Sequence, residues 1–148
     1  MQHPQLNLPA CSLRIKEEDN VSKVYDVIRK KWYVLTPEEW VRQHWIHALI
    51  DFAKYPASLF EIESAIDFNG MKKRFDIVVR NKDLSIFLLI ECKAPEVALT
   101  EDTLLQASKY AKILKPEYIF LSNGLQHVQY HNHGGSLDLM QGIPTYKH

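Results

Sequence analysis

The sequence predicts a mixed α/β domain: a three-strand meander, a crossover helix and two further strands, with one helix on each face of the sheet. Three observations carry this. Residues 85–93, "SIFLLIECK", form a nearly unbroken apolar run, as a central strand buried on both faces should. A second apolar run, "YIFLS", follows after a helical stretch, and a helical crossover between two strands makes them parallel neighbours. Turn signals on either side of this pair, Asn69-Gly70 and Asn81-Lys82-Asp83 before it and Asn123-Gly124 after it, add antiparallel hairpins and make the sheet mixed.

Taken in order, Leu13 and Ile15 alternate with polar residues, "KEEDN" turns, and "KVYDVI" resumes a strand pattern, giving an N-terminal hairpin over about 12–34. "TPEEWVRQHWIHALIDFAKYP" is the clearest helix. Thr36 suits its cap and Pro37 its first turn, while Val41, Trp45, Leu49 and Phe52 recur at helical spacing as its buried face. The meander is "LFEIESAIDF", "KRFDIVVR" and "SIFLLIECK", the last two joined by an Asn81-Lys82-Asp83 turn. A second helix is expected from about Glu101 to Leu114, capped by Thr100, with Pro116 beyond it. "YIFLS" and "LQHVQYH" complete a core over about 36–131, and the remaining residues are weakly patterned.

The chain has 148 residues, which fits one domain able to bury a core, and 24% charged against 46% hydrophobic residues. Formal net charge is zero, which argues against a nucleic-acid binder that relies on electrostatics alone. Cys11 and Cys92 lie far apart without a CxxC, so neither a disulfide framework nor a zinc knuckle is suggested. No signal-peptide-like run and no membrane span is evident, and the expected location is cytoplasmic.

Charge inside the apolar strands is the informative feature. Glu91 and Lys93 stand two positions apart at the end of the central strand, and Asp76 interrupts the strand before it. Buried charges cost several kcal/mol unless they are paired or coordinate an ion. Two readings account for them. One is a structural ion pair. In the other, two carboxylates at the carboxyl end of a sheet supply the oxygen ligands that Mg²⁺ (or Mn²⁺) prefers, and Lys93 offsets developing negative charge.

Asp76, fourteen intervening residues and then Glu91-Cys92-Lys93, after a helix carrying Glu39, resemble the PD-(D/E)XK nuclease superfamily. More narrowly, "TPEEWVRQ", "RFDIVVR", "IECKAP" and "QASKY" resemble the N-terminal nuclease domain of type I restriction enzyme R subunits. The resemblance implies a restriction-endonuclease-like fold and metal-dependent hydrolysis of DNA phosphodiesters. It implies Asp76, Glu91 and the Cys92 carbonyl as metal ligands and Lys93 as the catalytic lysine, with Glu39 as the helix acid. Gln106 and Tyr110 match a Gln-xxx-Tyr motif, and with Lys73 and Arg74 they form the expected DNA-binding set. Phe75 stands where the superfamily's name has proline. No G-x-x-x-x-G-K-[ST] occurs, so an ATPase motor does not carry over. DNA, other restriction-modification subunits or a second copy are the implied partners. The alternative is a non-catalytic DNA-binding or assembly module that keeps the fold.

Several residues carry two readings at this point. Glu39 also lies where a capping-box glutamate belongs, three residues after Thr36. Glu38 and Glu63 are lesser accessory acids. Arg29-Lys30-Lys31 and Lys72-Lys73-Arg74 serve either as solvated turns or as phosphate contacts. His131 and His133 can share a strand face but lack a third ligand. The metal reading sets a geometric condition: the Asp76 and Glu91 carboxylates must lie on one face of the sheet, close enough to touch one ion. This requires an even-length loop or a bulge between their strands; opposite faces would exclude it.

Overall fold

The computed structural model describes residues 3–147. Strands β1 (Ile15–Glu18), β2 (Val21–Asp26) and β3 (Lys31–Val34) form a small antiparallel sheet. The N-terminal hairpin is thus a three-stranded meander. Its third strand has only four residues, "KWYV", too few to show a period. Helix α1 (Pro37–His47) follows, capped by Thr36, whose Oγ1 accepts the Glu39 N–H at 3.0 Å.

A π turn, Ala48–Phe52, continues α1. Its wider i→i+5 winding rotates the chain out of the 3.6-residue register. Phe52, expected on the buried face, is therefore 69% exposed, whereas Val41, Trp45 and Leu49 are buried.

The main sheet runs β4 (Phe60–Phe68), β5 (Met71–Arg80), β6 (Ile86–Cys92), β7 (Tyr118–Ser122), β8 (His127–His133) and β9 (Ser136–Met140), neighbours in that order. Only β6 and β7 pair in parallel, and helix α2 (Asp102–Ile113) makes the crossover between them. This is the predicted mixed sheet with one strand added. The end of the chain is also more ordered than its pattern suggests. Beyond β9, Tyr146 is buried and donates from Oη to the Arg80 carbonyl at 2.9 Å. Its anchoring is tertiary, so no local periodicity announces it. Thr100 does not cap α2; Glu101 takes the cap position without a side-chain bond.

One helix covers each face. Under α1, Val41, Trp45, Ile46 and Leu49 pack on Ile77, Val79, Leu88, Ile90 and Phe120. Under α2, Ala107, Tyr110 and Ala111 pack on Phe75, Val78, Leu89, Ile119 and Leu121. Every residue of β6 is buried. Among the described residues, no helix is long and apolar enough to cross a membrane.

Candidate active site

The approach of Asp76 to Glu91 depends on two irregularities. The first is a bulge: Val79 pairs with Leu88 but Arg80 with Ile86, so β6 carries an extra residue. The shift brings Ile77 opposite Ile90, and the same register continued by one step sets Asp76 opposite Glu91. The expected bulge is therefore present, but register alone does not decide which face each carboxylate takes.

The second irregularity changes which way Asp76 looks. Ser64 pairs with Phe75 and Ile62 with Ile77, but no regular bridge joins Glu63 to Asp76, and Glu63 lies at φ +52. A non-glycine residue held there costs on the order of 1–3 kcal/mol and persists only where its surroundings impose it. Phe75 and Ile77, two residues apart, should share a face. Instead Phe75 packs under α2 and Ile77 under α1, so β5 turns over at Asp76.

Asp76 Oδ2 accepts the backbone N–H of Cys92 at 2.8 Å, and Oδ1 accepts Arg42 Nη2 of α1 at 2.7 Å. Its carboxylate thus lies in the seam between β5 and β6, near enough that its charge also bears on Tyr110 across the sheet. Glu91 is turned toward α2, so Asp76 is held in the seam rather than on the face of Glu91, and the one-face arrangement is not met as expected. Its Oε1 accepts Tyr110 Oη at 2.8 Å and lies 3.2 Å from Lys73 Nζ. Its Oε2 is buried with no hydrogen-bond partner.

Arg42, which sequence reasoning did not single out, organises the α1 side. Its guanidinium reaches Glu39 at 2.6 Å, Asp76 at 2.7 Å, Glu63 at 2.9 Å and Glu38 at 3.3 Å. Burial opposes its charge, but Glu39 and Asp76 outweigh that and raise its pKa further. A signal was available: Glu38, Arg42, Trp45 and Leu49 lie on one helical stripe, so a charge at position 42 had to meet the sheet. Burial, then the charge of Asp76, raises the pKa of Glu38, while Lys93 acts the other way.

The remaining expected residues divide into two groups. Glu39 is buried, and its carboxylate binds Arg42, Arg29 and Gln43. It does not fold back to complete a capping box, because the Thr36 N–H donates to the Val34 carbonyl instead. Gln106 Nε2 donates to Tyr110 Oη at 2.7 Å, so the Gln-xxx-Tyr pair forms a relay ending on Glu91. Burial, reinforced by Glu91, pushes the Tyr110 hydroxyl well above its ordinary pKa. Lys73 stands on Glu91, the place expected of Lys93, whose side chain is exposed just beyond β6. Arg74 is largely exposed, 4.0 Å from Glu63. Arg29 is no solvated turn residue; it binds Asp26 and Glu39.

The donor chemistry suits a hard cation: two carboxylates, one with an unpartnered buried oxygen, beside the main chain at Cys92. Among the described residues, no three Asp, Glu, His or Cys side chains form a ready-made cage. Two carboxylates and a main-chain carbonyl would be the ligands. Arg42 and Lys73 supply the positive charge opposite the carboxylates.

Residues 37–144 match the family model "Type I restriction enzyme R protein N terminus (HSDR_N)". The chain belongs to this family. The match spans α1, the whole six-stranded sheet, the bulge at Val79/Arg80 and the turnover at Asp76, but not β1–β3. No curated protein and no solved structure matches the chain.

Proposed function

We propose that the domain is a divalent-metal-dependent DNA endonuclease of the PD-(D/E)XK type, with Asp76, Glu91 and Lys93 at its centre. The observation that carries the reading is the Asp76 carboxylate on the Cys92 N–H, where the β5–β6 ladder ends, next to a Glu91 whose Oε2 is buried and unpartnered. A buried carboxylate oxygen without a partner is costly, and a bound cation relieves that cost. Asp76, Glu91 and the Cys92 carbonyl would hold Mg²⁺ or Mn²⁺. Such an ion supplies an activated water and stabilises charge on the phosphate.

The chain's own groups do the rest. Asp76 keeps Cys92 in place through its N–H, and residues of a paired strand present N–H and C=O to the same neighbour, so the Cys92 carbonyl faces the same seam. Tyr110, set by Gln106, fixes the rotamer of Glu91. Lys93, exposed at the strand end, is free to meet a scissile phosphate. Glu39 acts through Arg42 on Asp76 and is a positioning residue. DNA is the substrate, with further restriction-modification subunits or a second copy helping to hold it.

One observation favours a second reading, a DNA-binding module that no longer cleaves. Arg42 and Lys73 already neutralise the two carboxylates. Plasmid DNA incubated with Mg²⁺ or Mn²⁺ separates the two. Nicking or linearisation by the parent, lost in Lys93→Ala, is expected. Metal-independent silence of both proteins, with DNA binding retained, would favour the module.

A further inference from the structure

The three-stranded sheet β1–β3 lies outside the family match, and its outward face is not used by the site described above. Register places Lys16 opposite Lys23 and Tyr25 opposite Trp32 on that face, and the Tyr25 N–H donates to the Arg14 carbonyl at 2.9 Å. Two rings make the floor, in edge contact at 5.4 Å. Arg14 lies over Tyr25 at 4.5 Å, and Lys16 over Trp32 at 4.3 Å. Lys23 completes a row of three cations against one carboxylate, Glu18, which Lys16 and Lys23 share.

Cations over ring faces keep their full charge, and the contact holds long side chains at a set height. The rings' own faces are covered, so the surface offers charge rather than base stacking. The inner face is fastened to α1: Gln43 donates to Asp26 at 2.8 Å, and Arg29 binds Glu39 at 3.0 Å. The row of cations therefore has a fixed position relative to Asp76.

We propose that this face is a docking surface for the phosphate backbone of duplex DNA, binding without regard to sequence. The proposal rests on the DNA-directed reading but not on cleavage. Charge complementarity selects the partner, since three positive groups at fixed spacing suit a polyanion with regularly spaced phosphates.

The test is fluorescence anisotropy of a short labelled duplex with the full chain in metal-free buffer, between 50 and 200 mM salt. Three phosphate contacts weaken parent binding about 40-fold over that range, and one contact about 3-fold. Arg14→Gln/Lys16→Gln is expected to show the shallower dependence and weaker binding at low salt. Lys112→Gln/Lys115→Gln, the same charge change on and just after α2, should keep the parent's slope, and Lys23→Gln should lower it by about one contact. Equal effects of both double variants, no duplex binding by the parent, or poly-glutamate binding as tightly as DNA would each overturn the proposal. Cleavage with Mg²⁺ is read separately: intact binding without cleavage removes the nuclease reading and leaves the docking surface standing.

Discussion

Asp76 Oδ2 takes the Cys92 N–H at 2.8 Å, so a side chain of β5 stands in for the main-chain carbonyl that would continue its ladder with β6. One carboxylate thus closes the end of the β5–β6 ladder at the residue next to Glu91. Two carboxylates brought together without a metal repel, and removing one relieves that strain. The contacts of Asp76 with Arg42 and the Cys92 N–H outweigh that relief. Asp76→Ala leaves the buried Cys92 N–H without an acceptor and is expected to cost about 1–3 kcal/mol in metal-free buffer. Asp76→Asn, which keeps an acceptor oxygen, should cost less, and both should abolish cleavage. Urea titration alongside a plasmid assay checks this; an Asp76→Ala protein melting above the parent would contradict it.

Arg42→Met should be the most destabilising change at the site. Arg42 and Glu39 have side chains only 5% and 6% exposed, and removing Arg42 takes the cation from Asp76 and leaves Glu39 with Arg29 and Gln43 alone. A loss of about 3–5 kcal/mol is expected. Circular dichroism in urea measures it, and a shift below 1 kcal/mol would mean the ion pairs are solvated.

Lys93→Ala separates chemistry from fold. The side chain is exposed, so stability should change by no more than about 0.5 kcal/mol. Cleavage should nevertheless fall below detection. Retained nicking by a normally folded Lys93→Ala protein would transfer the lysine's role to Lys73.

Acid sensitivity should track Asp26. Burial raises its pKa, but the Arg29 N–H, Gln43 and the Arg29 charge outweigh that, and the net shift is downward from 3.8. A depressed carboxylate contributes stability that is complete above its unfolded pKa and is lost as pH falls through the folded value. The parent should therefore lose stability below about pH 4. Asp26→Asn should be weaker at pH 7 and flatter below pH 4, as urea midpoints at pH 7, 4 and 3 will show.

Gly124→Ala tests the contact between the N-terminal segment and the sheet. Gly124 has φ +85, and an added Cβ would come within 2.8 Å of Leu6 Cδ2 and 3.1 Å of Val41 Cγ2. Backbone strain and overpacking together predict a loss of about 2–4 kcal/mol. An unchanged melting temperature would show that Leu6 moves aside freely.

Local pattern made the strands of the meander, both helices and the parallel pairing legible, because alternation and helical spacing report directly on burial. It also marked Asp76 and Glu91 as charges inside apolar strands, whereas the Gln106–Tyr110 pair is singled out by the family resemblance and not by pattern. The turnover of β5 at Asp76 was not legible, since strand parity assumes a regular ladder and Glu63 breaks it. The helical stripe through Trp45 and Leu49 turns Arg42 toward the sheet, but its four acidic partners come from α1, β4 and β5 and are visible only in space. β9 and the buried Tyr146 depend on contacts with distant residues, which a scan along the chain does not see.

The family match opens at position 37, but the folding unit does not. A polypeptide trimmed to that border would lose the Thr36 oxygen from the start of α1, Arg29 from Glu39 and Asp26 from Gln43. Gln43 is wholly buried and already has one unpartnered amide oxygen. Such a fragment would begin life with a cluster of stranded polar groups beneath its first helix and a slackened grip on Asp76. The three short strands are thus the flank against which the nuclease-like core is braced, and a graft of the core alone into another protein must bring its own replacement for Asp26 and Arg29.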